Sequence, residues 1–245
     1  MPHHRDNFLL NLLEPDVLDQ IEPQLSIIDL QREQVLAETH QRIEKVYFPH
    51  SGIISCLVEL IGGGAIETGM IGKDGNFGSS QALDDKVSLN HVVTQVGGTA
   101  SLMSSDHLRQ QAAAFPPFRS VLIKYDQFFL AQVQQHVACN AAHNVQARTC
   151  KWLLQMHELV GPDLPLTQEF LAQVMGVRRT TVTTVAGELQ KANDYVQPGS
   201  PSYRRPCPNT IMGLRMRRRH SLSLSAYLQF ERRIAVADAT SGSER

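Results

Sequence analysis

The segment from Thr167 to Lys191, TQEFLAQVMGVRRTTVTTVAGELQK, constrains the fold of this chain more than any other stretch. Counted from Gln168, Ala172 occupies the place where two helices would cross closely, and Gly176 occupies a turn that requires a positive φ. Five apolar residues lie at spacings that form one face across two short helices: Leu171, Met175, Val177, Val182 and Val185. The segment is therefore predicted to be a helix-turn-helix.

The second helix of this motif is predicted to begin near Arg178 and Arg179, at the positive end of the helix dipole, where cations weaken an isolated helix. Local rules broken in this way are typical of functional sites. The threonines that follow carry methyl and hydroxyl groups suited to base edges and phosphates. The residues predicted to contact DNA are Thr167, Arg178, Arg179, Thr180, Thr181, Thr183 and Thr184. The alternative is a solvated face on a buried helical hairpin, which would more naturally carry Glu, Lys and Gln.

Charge is distributed unequally between the two halves of the chain. The 245 residues have a net charge of −1, yet residues 1–140 hold nine Lys and Arg against sixteen Asp and Glu, and residues 141–245 hold fourteen against eight. A basic C-terminal half fits binding to nucleic acid, and an acidic N-terminal half fits a sensor that avoids DNA. Chance segregation of charge is the alternative.

The four cysteines are widely separated and include no C-x-x-C pair, so the sequence predicts neither a zinc site nor an iron–sulfur cluster. They are Cys56, Cys139, Cys150 and Cys207. No apolar stretch approaches the ~20 residues needed to span a bilayer. We therefore expect a cytoplasmic protein with buried reduced thiols and no membrane partner.

The sequence of the N-terminal half predicts a small helical cap over residues 7–30. Short β-rich runs follow, and glycine-containing turns separate them. These runs are Val46–Phe48, Ile53–Ile61, Ala65–Ile71, His91–Val96 and Thr99–Met103. Short strands at such regular intervals are typical of jelly-roll-like double sheets. The predicted fold class is therefore α+β, with a jelly-roll-like β-roll ahead of helical elements.

Beyond Pro116 and Pro117, a long helical pattern runs from Phe118 to about Asn140. It carries a narrow stripe at steps of three and four residues, which is typical of paired helices, so we predict a dimerisation helix. The predicted seam consists of Leu122, Tyr125, Phe129, Val133, His136 and Asn140. The alternative is a helix that lies on the β-roll of its own chain. A second helix, from Ala142 to Val160, is predicted to supply a core face to the helix-turn-helix domain.

The order of these parts resembles the Crp-Fnr family of bacterial transcription regulators. Three strings carry the resemblance: VYFPHSGIIS at residues 46–55, GMIGKDGNFG at 69–78 and LTQEFLAQVMGVRRTTVT at 166–183. The resemblance covers about residues 7–192. It implies a cyclic-nucleotide-binding-like β-roll, a homodimer held by the long helix, and a winged helix-turn-helix that binds a pseudo-palindromic operator in double-stranded DNA.

The resemblance also implies base-reading roles for Arg179, Thr180, Thr181 and Thr184. The family usually has Glu at the position of Thr180 and often Arg at that of Thr184, so we expect a different target sequence from the best-known one. RNA polymerase is a further expected partner. The predicted divisions of the chain are a sensor β-roll at 1–116, a dimerisation helix at 117–141, a helix-turn-helix domain at 142–198 and a basic tail at 199–245 that is rich in Pro, Ser and Arg.

Two departures from the family affect these expectations. Nucleotide-binding members have a Gly-Glu pair, followed by Arg and a Ser or Thr, whereas this chain offers an effector pocket made of Gly78, Ser79, Ser80 and Asn90. We therefore expect no cofactor and no cyclic AMP binding of the usual kind. After Ala192 no strand pattern for a wing is visible, and the Pro, Ser and Arg-rich tail is predicted to be mostly disordered. A native wing replacement and a change of reading frame near residue 193 both remain open.

The predicted function is a dimeric, sequence-specific DNA-binding transcription regulator, controlled through the β-roll by an unknown signal. The aberrant C-terminus leaves a second possibility, an interaction module with impaired DNA binding. A cupin-type metalloenzyme is a third, because jelly-roll barrels often hold a metal. That site needs clustered His and carboxylate ligands, and only His91 falls on a predicted strand, so no metal site and no catalytic residue is predicted.

Overall fold

A computed structural model describes residues 2–84, 86–162 and 164–191 of the chain. The predictions about a wing after Ala192 and about the tail at 199–245 lie outside the described residues. Two short 3₁₀ turns, His4–Asp6 and Glu22–Gln24, accompany the α-helices. The helices are α1 (Phe8–Asn11), α2 (Pro15–Ile21), α3 (Ser79–Leu83), α4 (Ser105–Ala114), α5 (Pro116–Ala142), α6 (Val145–Val160), α7 (Gln168–Met175) and α8 (Arg179–Lys191).

The strands form two antiparallel sheets that face each other, as expected for a jelly-roll-like β-roll. They are β1 (Ser26–Leu30), β2 (Val35–Ala37), β3 (Lys45–Pro49), β4 (Ile53–Glu59), β5 (Ala65–Ile71), β6 (His91–Val96) and β7 (Gly98–Ser104). One sheet has the order β1-β7-β3 and the other has the order β2-β6-β4-β5. The predicted α+β fold class is confirmed, and the five predicted β-rich runs all contain a strand. The strands β1 and β2 are not among those runs, because both are sheet-edge strands with partly exposed apolar residues.

Strand β4 contributes side chains to two different cores, because its sheet is covered on both faces. Ile54 and Cys56 lie in the core between the two sheets, together with Ile71 and Val92. Ile53 instead lies in a core that includes α6, α7 and α8. The β-roll and the helix-turn-helix region therefore share one apolar core in this structure. The cysteines Cys56, Cys139 and Cys150 are buried and unbridged, and Cys207 lies beyond the described residues.

One face of the long helix α5 packs against the β-roll of its own chain. Leu122 is 0% exposed and Tyr125 is also buried. The ring of Phe129 lies against Gly69 of β5, where an added Cβ would come within 2.6 Å of the ring. This arrangement is the alternative named from the sequence, so the predicted seam through Leu122 and Tyr125 is corrected. Their apolar side chains serve the intrachain core, because the open sheet must be covered.

The remaining predicted seam residues of α5 lie in less buried positions. His136 is half-buried, with Nδ1 placed 3.2 Å from the Thr68 carbonyl oxygen and Nε2 placed 3.1 Å from Gln155 Oε1. Val133 is half-buried and Asn140 is exposed. His136 therefore connects α5 to β5 and α6 within one chain.

A different apolar stripe on α5 faces solvent. Ile123, Leu130 and Val137 are 42%, 56% and 64% exposed, and they recur at intervals of seven residues. Exposed glutamines, Gln127 and Gln134, lie between them at steps of four and three. This is the heptad spacing of a coiled-coil seam, with apolar d positions and polar a positions.

Candidate nucleic-acid interface and sensor pocket

The turn between α7 and α8 has the geometry predicted from its glycine. Gly176 adopts φ = 63°, in the left-handed region that favours glycine. The Val177 amide donates to the Ala172 carbonyl at 3.0 Å, which closes the end of α7. At the start of α7, the Thr167 hydroxyl accepts a hydrogen bond from the Phe170 amide at 3.1 Å. Thr167 therefore caps the helix, in addition to any contact with DNA.

The apolar face of the motif is buried as a single unit. Ala172, at the predicted crossing point, is only 6% exposed, which agrees with the need for a small side chain there. The core joins this face to α6 through Trp152, Leu153 and Met156. Buried residues of the motif in this core are Leu171, Ala172, Val174, Met175, Val182, Val185, Ala186 and Leu189.

The opposite face of α8 and the preceding turn are open to solvent. The exposed residues are Arg178, Arg179, Thr180, Thr183 and Thr184, and Thr181 is half-buried. The Arg178 carbonyl accepts the first amide bonds of α8, from Thr181 at 2.9 Å and Val182 at 3.3 Å. The structure thus brings six of the seven predicted DNA-contact residues together at the N-terminal half of α8 and the turn before it, whereas Thr167 lies at the start of α7.

Two of the threonine hydroxyls are occupied within the protein. The Thr184 hydroxyl donates to the Thr180 carbonyl at 3.1 Å, and the Thr183 hydroxyl lies 3.1 Å from the Arg179 carbonyl and 2.9 Å from Gln168 Oε1. Since each hydroxyl has one proton, these groups can offer methyl contacts and acceptor lone pairs more readily than a donor. The guanidinium groups are therefore the donors best placed on this face.

The Arg179 side chain is 69% exposed, and its nearest anionic group is the Glu169 carboxylate, with Nη1 and Oε2 4.0 Å apart. An exposed pair at this distance contributes little stability, so it can be exchanged for a contact with nucleic acid. Arg179 is therefore held near the helix start without being committed to an intrachain partner.

A separate cavity of about 100 Å³ lies between the sheet β2-β6-β4-β5, the segment around α3, and α5. All four predicted effector-pocket residues line it: Gly78, Ser79, Ser80 and Asn90. Asn76 Nδ2 and Ser79 Oγ are buried here, and neither has a hydrogen-bond partner among the described residues. Two unsatisfied polar groups in a cavity favour the binding of a small polar molecule, because leaving them unpaired is costly.

The titratable groups that line this cavity are acids, and the cavity has no described cation. Burial raises the pKa of Asp126 to about 6, and a hydrogen bond with Ser80 opposes the rise. Burial also raises the pKa of the Cys56 thiol to about 12, with the nearby Glu67 contributing. No Lys or Arg is among the described residues that line the cavity. A phosphate group would therefore find a carboxyl group there and no guanidinium.

Among the contributors to this cavity that sequence reasoning misses are Asn76, Tyr125 and Asp126. Asn76 lies inside the family-like string GMIGKDGNFG, which is a signal that could have indicated it. Tyr125 is instead predicted to lie in a dimer seam, and its neighbour Asp126 is not singled out, because spacing along a helix does not reveal which face covers the β-roll.

Two features of the described residues bear on the alternative of a metalloenzyme and on membrane insertion. Within residues 2–84, 86–162 and 164–191, no three His, Cys, Asp or Glu side chains are grouped so that they could hold a metal ion. In the same part of the chain, none of the helices combines the length and the apolar character needed to cross a membrane.

Comparisons with known proteins agree with this architecture. A sequence profile of the Crp-like helix-turn-helix domain matches residues 147–194. The c-di-GMP-responsive global regulator CLP of Xanthomonas campestris has a similar structure, with a TM-score of 0.64 and 13% identity, over 78% of this chain and 100% of that one. FixK2 of Bradyrhizobium japonicum gives a TM-score of 0.64 and 14% identity, over 74% and 93%.

A third similar structure is TTHB099, a CRP-family transcriptional regulator of Thermus thermophilus, with a TM-score of 0.58 and 14% identity, over 69% of this chain and 87% of that one. No curated protein sequence matches the chain. The resemblance to the Crp-Fnr family is therefore confirmed by sequence for the helix-turn-helix domain and by fold alone for the β-roll that precedes it.

Proposed function

We propose that this protein is a sequence-specific DNA-binding transcription regulator that acts as a homodimer. The observation that carries the proposal is the two-sided character of α8. Its apolar residues, among them Val182 and Val185, are buried against α6 and α7, whereas Arg178, Arg179 and Thr180 are exposed at its N-terminal end. A helix presented in this way fits the major groove, with its first residues facing base edges.

The observation that supports dimerisation is the exposed apolar stripe of α5, which is formed by Ile123, Leu130 and Val137. Heptad-spaced apolar side chains on a helix that is already packed on its other face favour pairing with a second copy of the same helix. The polar glutamines at the a positions make such a pair less stable than apolar side chains would. Two recognition helices would then face half-sites about one helical turn, ~34 Å, apart.

The proposed function is tested by selecting bound fragments from a random double-stranded DNA pool with the purified full chain. We expect a pseudo-palindromic sequence whose two half-sites are ~34 Å apart between centres. Binding of the selected fragment should exceed that of scrambled DNA at the same salt concentration, because phosphate contacts alone carry no sequence preference. Enrichment of no sequence would contradict the proposal and would favour an interaction module with impaired DNA binding.

Cyclic AMP and cyclic GMP should not bind with appreciable affinity. The cavity offers Asp126 and no guanidinium among its described lining residues, and its volume of about 100 Å³ is below the ~300–1,000 Å³ of typical small-molecule pockets. Isothermal titration calorimetry at pH 7.5 should therefore detect no saturable heat with either nucleotide. Tight binding that is lost on replacing the phosphate with a neutral group would show that the anion is accommodated after all.

RNA polymerase remains an expected partner on the basis of the family resemblance alone.

The effector is expected to be a small polar molecule that accepts hydrogen bonds from Asn76 Nδ2 and Ser79 Oγ, since neither atom has a hydrogen-bond partner among the described residues.

A further inference from the structure

A chain of buried polar groups joins the β-roll to helix α6. The Trp152 indole N–H donates to Glu67 Oε1 at 2.6 Å. Glu67 Oε2 lies 2.6 Å from the Ser55 hydroxyl, and that hydroxyl lies 2.6 Å from Gln95 Oε1. The Gln95 amide N–H then reaches the Met156 sulfur at 3.5 Å. The chain starts and ends on α6, one turn apart, and passes through β5, β4 and β6.

The number of hydrogens available to this series of hydrogen-bonded groups indicates whether the Glu67 carboxyl is protonated. The Ser55 hydroxyl has one hydrogen, yet two acceptor oxygens lie 2.6 Å from it. If Glu67 is protonated, its O–H donates to Ser55, and Ser55 donates to Gln95. With the Gln95 amide turned over, its Nε2 would donate to Ser55 and Ser55 could donate to an ionised Glu67, but the amide oxygen would then face the Met156 sulfur and the N–H···S contact with α6 would be lost. In the orientation that contacts Met156, the geometry is therefore satisfied when the Glu67 carboxyl is neutral.

The surroundings of Glu67 agree with this proton count. Glu67 is 8% exposed, and burial raises its pKa to about 7, with the hydrogen bonds from Ser55 and Trp152 opposing the rise. The Cys56 thiol of β4 also lies nearby and interacts with the carboxyl. The other titratable groups around the adjoining cavity are His136 and Cys139 of α5 and Arg148 and Lys151 of α6.

These cations do not cancel the effect of burial. The same burial lowers the pKa of Lys151 and of His136, and Lys151 interacts mainly with the Cys139 thiol, 3.5 Å from its Nζ. Arg148 donates from Nη2 to the Met175 carbonyl at 2.7 Å. A hydrogen bond to a carbonyl leaves the charge of Arg148 in place, and its Nε is buried with no hydrogen-bond partner among the described residues. Burial is nevertheless the largest influence on the pKa of Glu67, and the hydrogen bonds from Ser55 and Trp152 oppose it.

We propose that a proton on Glu67 latches helix α6, and with it the helix-turn-helix, onto the β-roll. The latch consists of Ser55, Glu67, Gln95 and Trp152. Loss of the proton places a charge in the shared core and leaves Ser55 with two acceptors. This conflict is relieved only by breaking the contact between Ser55 and Gln95 or by turning the Gln95 amide away from Met156, so the contact between the two parts loosens. The inference does not depend on DNA binding, because it concerns a contact within one chain.

The pH window follows from the two states of Glu67. In the open state the carboxyl meets water and has its ordinary pKa of 4.5, whereas in the latched state its pKa is about 7. The open state therefore loses its proton first, and the ratio of latched to open chains falls by up to about tenfold per pH unit between those two values. Above the pKa of about 7 both states are ionised and the ratio becomes constant.

Trp152 provides a direct readout, because it is the only tryptophan of the chain. Its fluorescence in the full-length protein should show a transition with a midpoint near pH 7, when the carboxyl that its indole N–H contacts becomes ionised. Glu67→Gln keeps the shape and remains neutral, so it should abolish this transition. Glu59→Gln, which alters an exposed carboxylate at the end of β4, is the matched control and should retain it.

His136→Gln tests whether the transition comes from His136, another titratable group of the cavity, instead of from Glu67. Since burial lowers the pKa of His136 below 6.5, the transition near pH 7 should persist in this variant. A transition that survives in Glu67→Gln or disappears in His136→Gln would overturn the proposal.

Gln95→Met tests the proton count even if Glu67→Gln does not fold. Without the competing acceptor, Ser55 can donate to the ionised carboxylate throughout, so the midpoint should move to lower pH. An unchanged or higher midpoint would contradict the arrangement.

Hydrogen exchange, corrected for intrinsic rates, should show less protection of α6 at pH 8 than at pH 6 in the parent and no such difference in Glu67→Gln. Equal protection in the parent would show that Glu67 does not latch the helix.

Discussion

Replacing Leu130 and Val137 together with Asp should convert the proposed homodimer into monomers. Both side chains are more than half exposed on one chain and lie on the heptad stripe of α5. In a paired helix they would be buried, and four uncompensated carboxylates would then lie in the seam. Sedimentation velocity should show the mass of one chain. The affinity for a two-half-site operator should fall by roughly 10²–10⁴, because the second half-site no longer binds intramolecularly.

The matched control is Gln110→Asp with Ala113→Asp, which adds the same charge at two exposed positions of α4. This variant should remain dimeric and should bind the operator like the parent. A parent protein that sediments as a monomer, or a Leu130 and Val137 variant that stays dimeric, would contradict the proposed interface.

Leu122→Asp should behave differently from these stripe variants. Leu122 is 0% exposed in the core shared by α5 and the β-roll. A carboxylate there has no described partner, so the expected result is loss of folding instead of a folded monomer. Circular dichroism and thermal unfolding distinguish the two outcomes.

The helix-turn-helix could be predicted from the sequence because its constraints are local. Ala172 and Gly176 are required by a crossing and a turn within a short segment, and the structure has both at the predicted places. The β-roll was likewise recognisable from its short strands, since glycine turns separate most of them. The edge strand β1 was not, because its Ile27 is exposed and the alternation of burial is weak.

The faces of α5 could not be assigned from the sequence. Leu122 and Leu130 both belong to apolar stripes with helical spacing, and only the three-dimensional position of the β-roll decides which stripe is covered. Glu67 was missed for a related reason. A single carboxyl group in the run from Ala65 to Ile71 was a visible signal, but its partners Ser55 and Trp152 are 12 and 85 residues away along the chain.

Arg179→Ala should remove the preference for one base pair in each half-site of the operator. An exposed guanidinium at the start of a recognition helix can donate two parallel hydrogen bonds to guanine, and such a contact is worth about 1–3 kcal/mol of discrimination. The selected sequence should therefore lose its preference at that position by roughly 5–150-fold. The variant should fold like the parent, because the ion pair that it loses is the exposed 4.0 Å contact with Glu169.

Arg119→Ala provides the matched control, since it removes one exposed cation from α5 at a distance along the chain from the recognition helix. It should leave the selected sequence unchanged. Arg179→Ala should also be compared with the parent at several salt concentrations, because a residue that contacts only phosphate would weaken binding to all sequences and reduce the salt dependence. An Arg179→Ala protein that selects the same sequence as the parent would exclude base recognition by this side chain and restrict it to contacts with the DNA backbone.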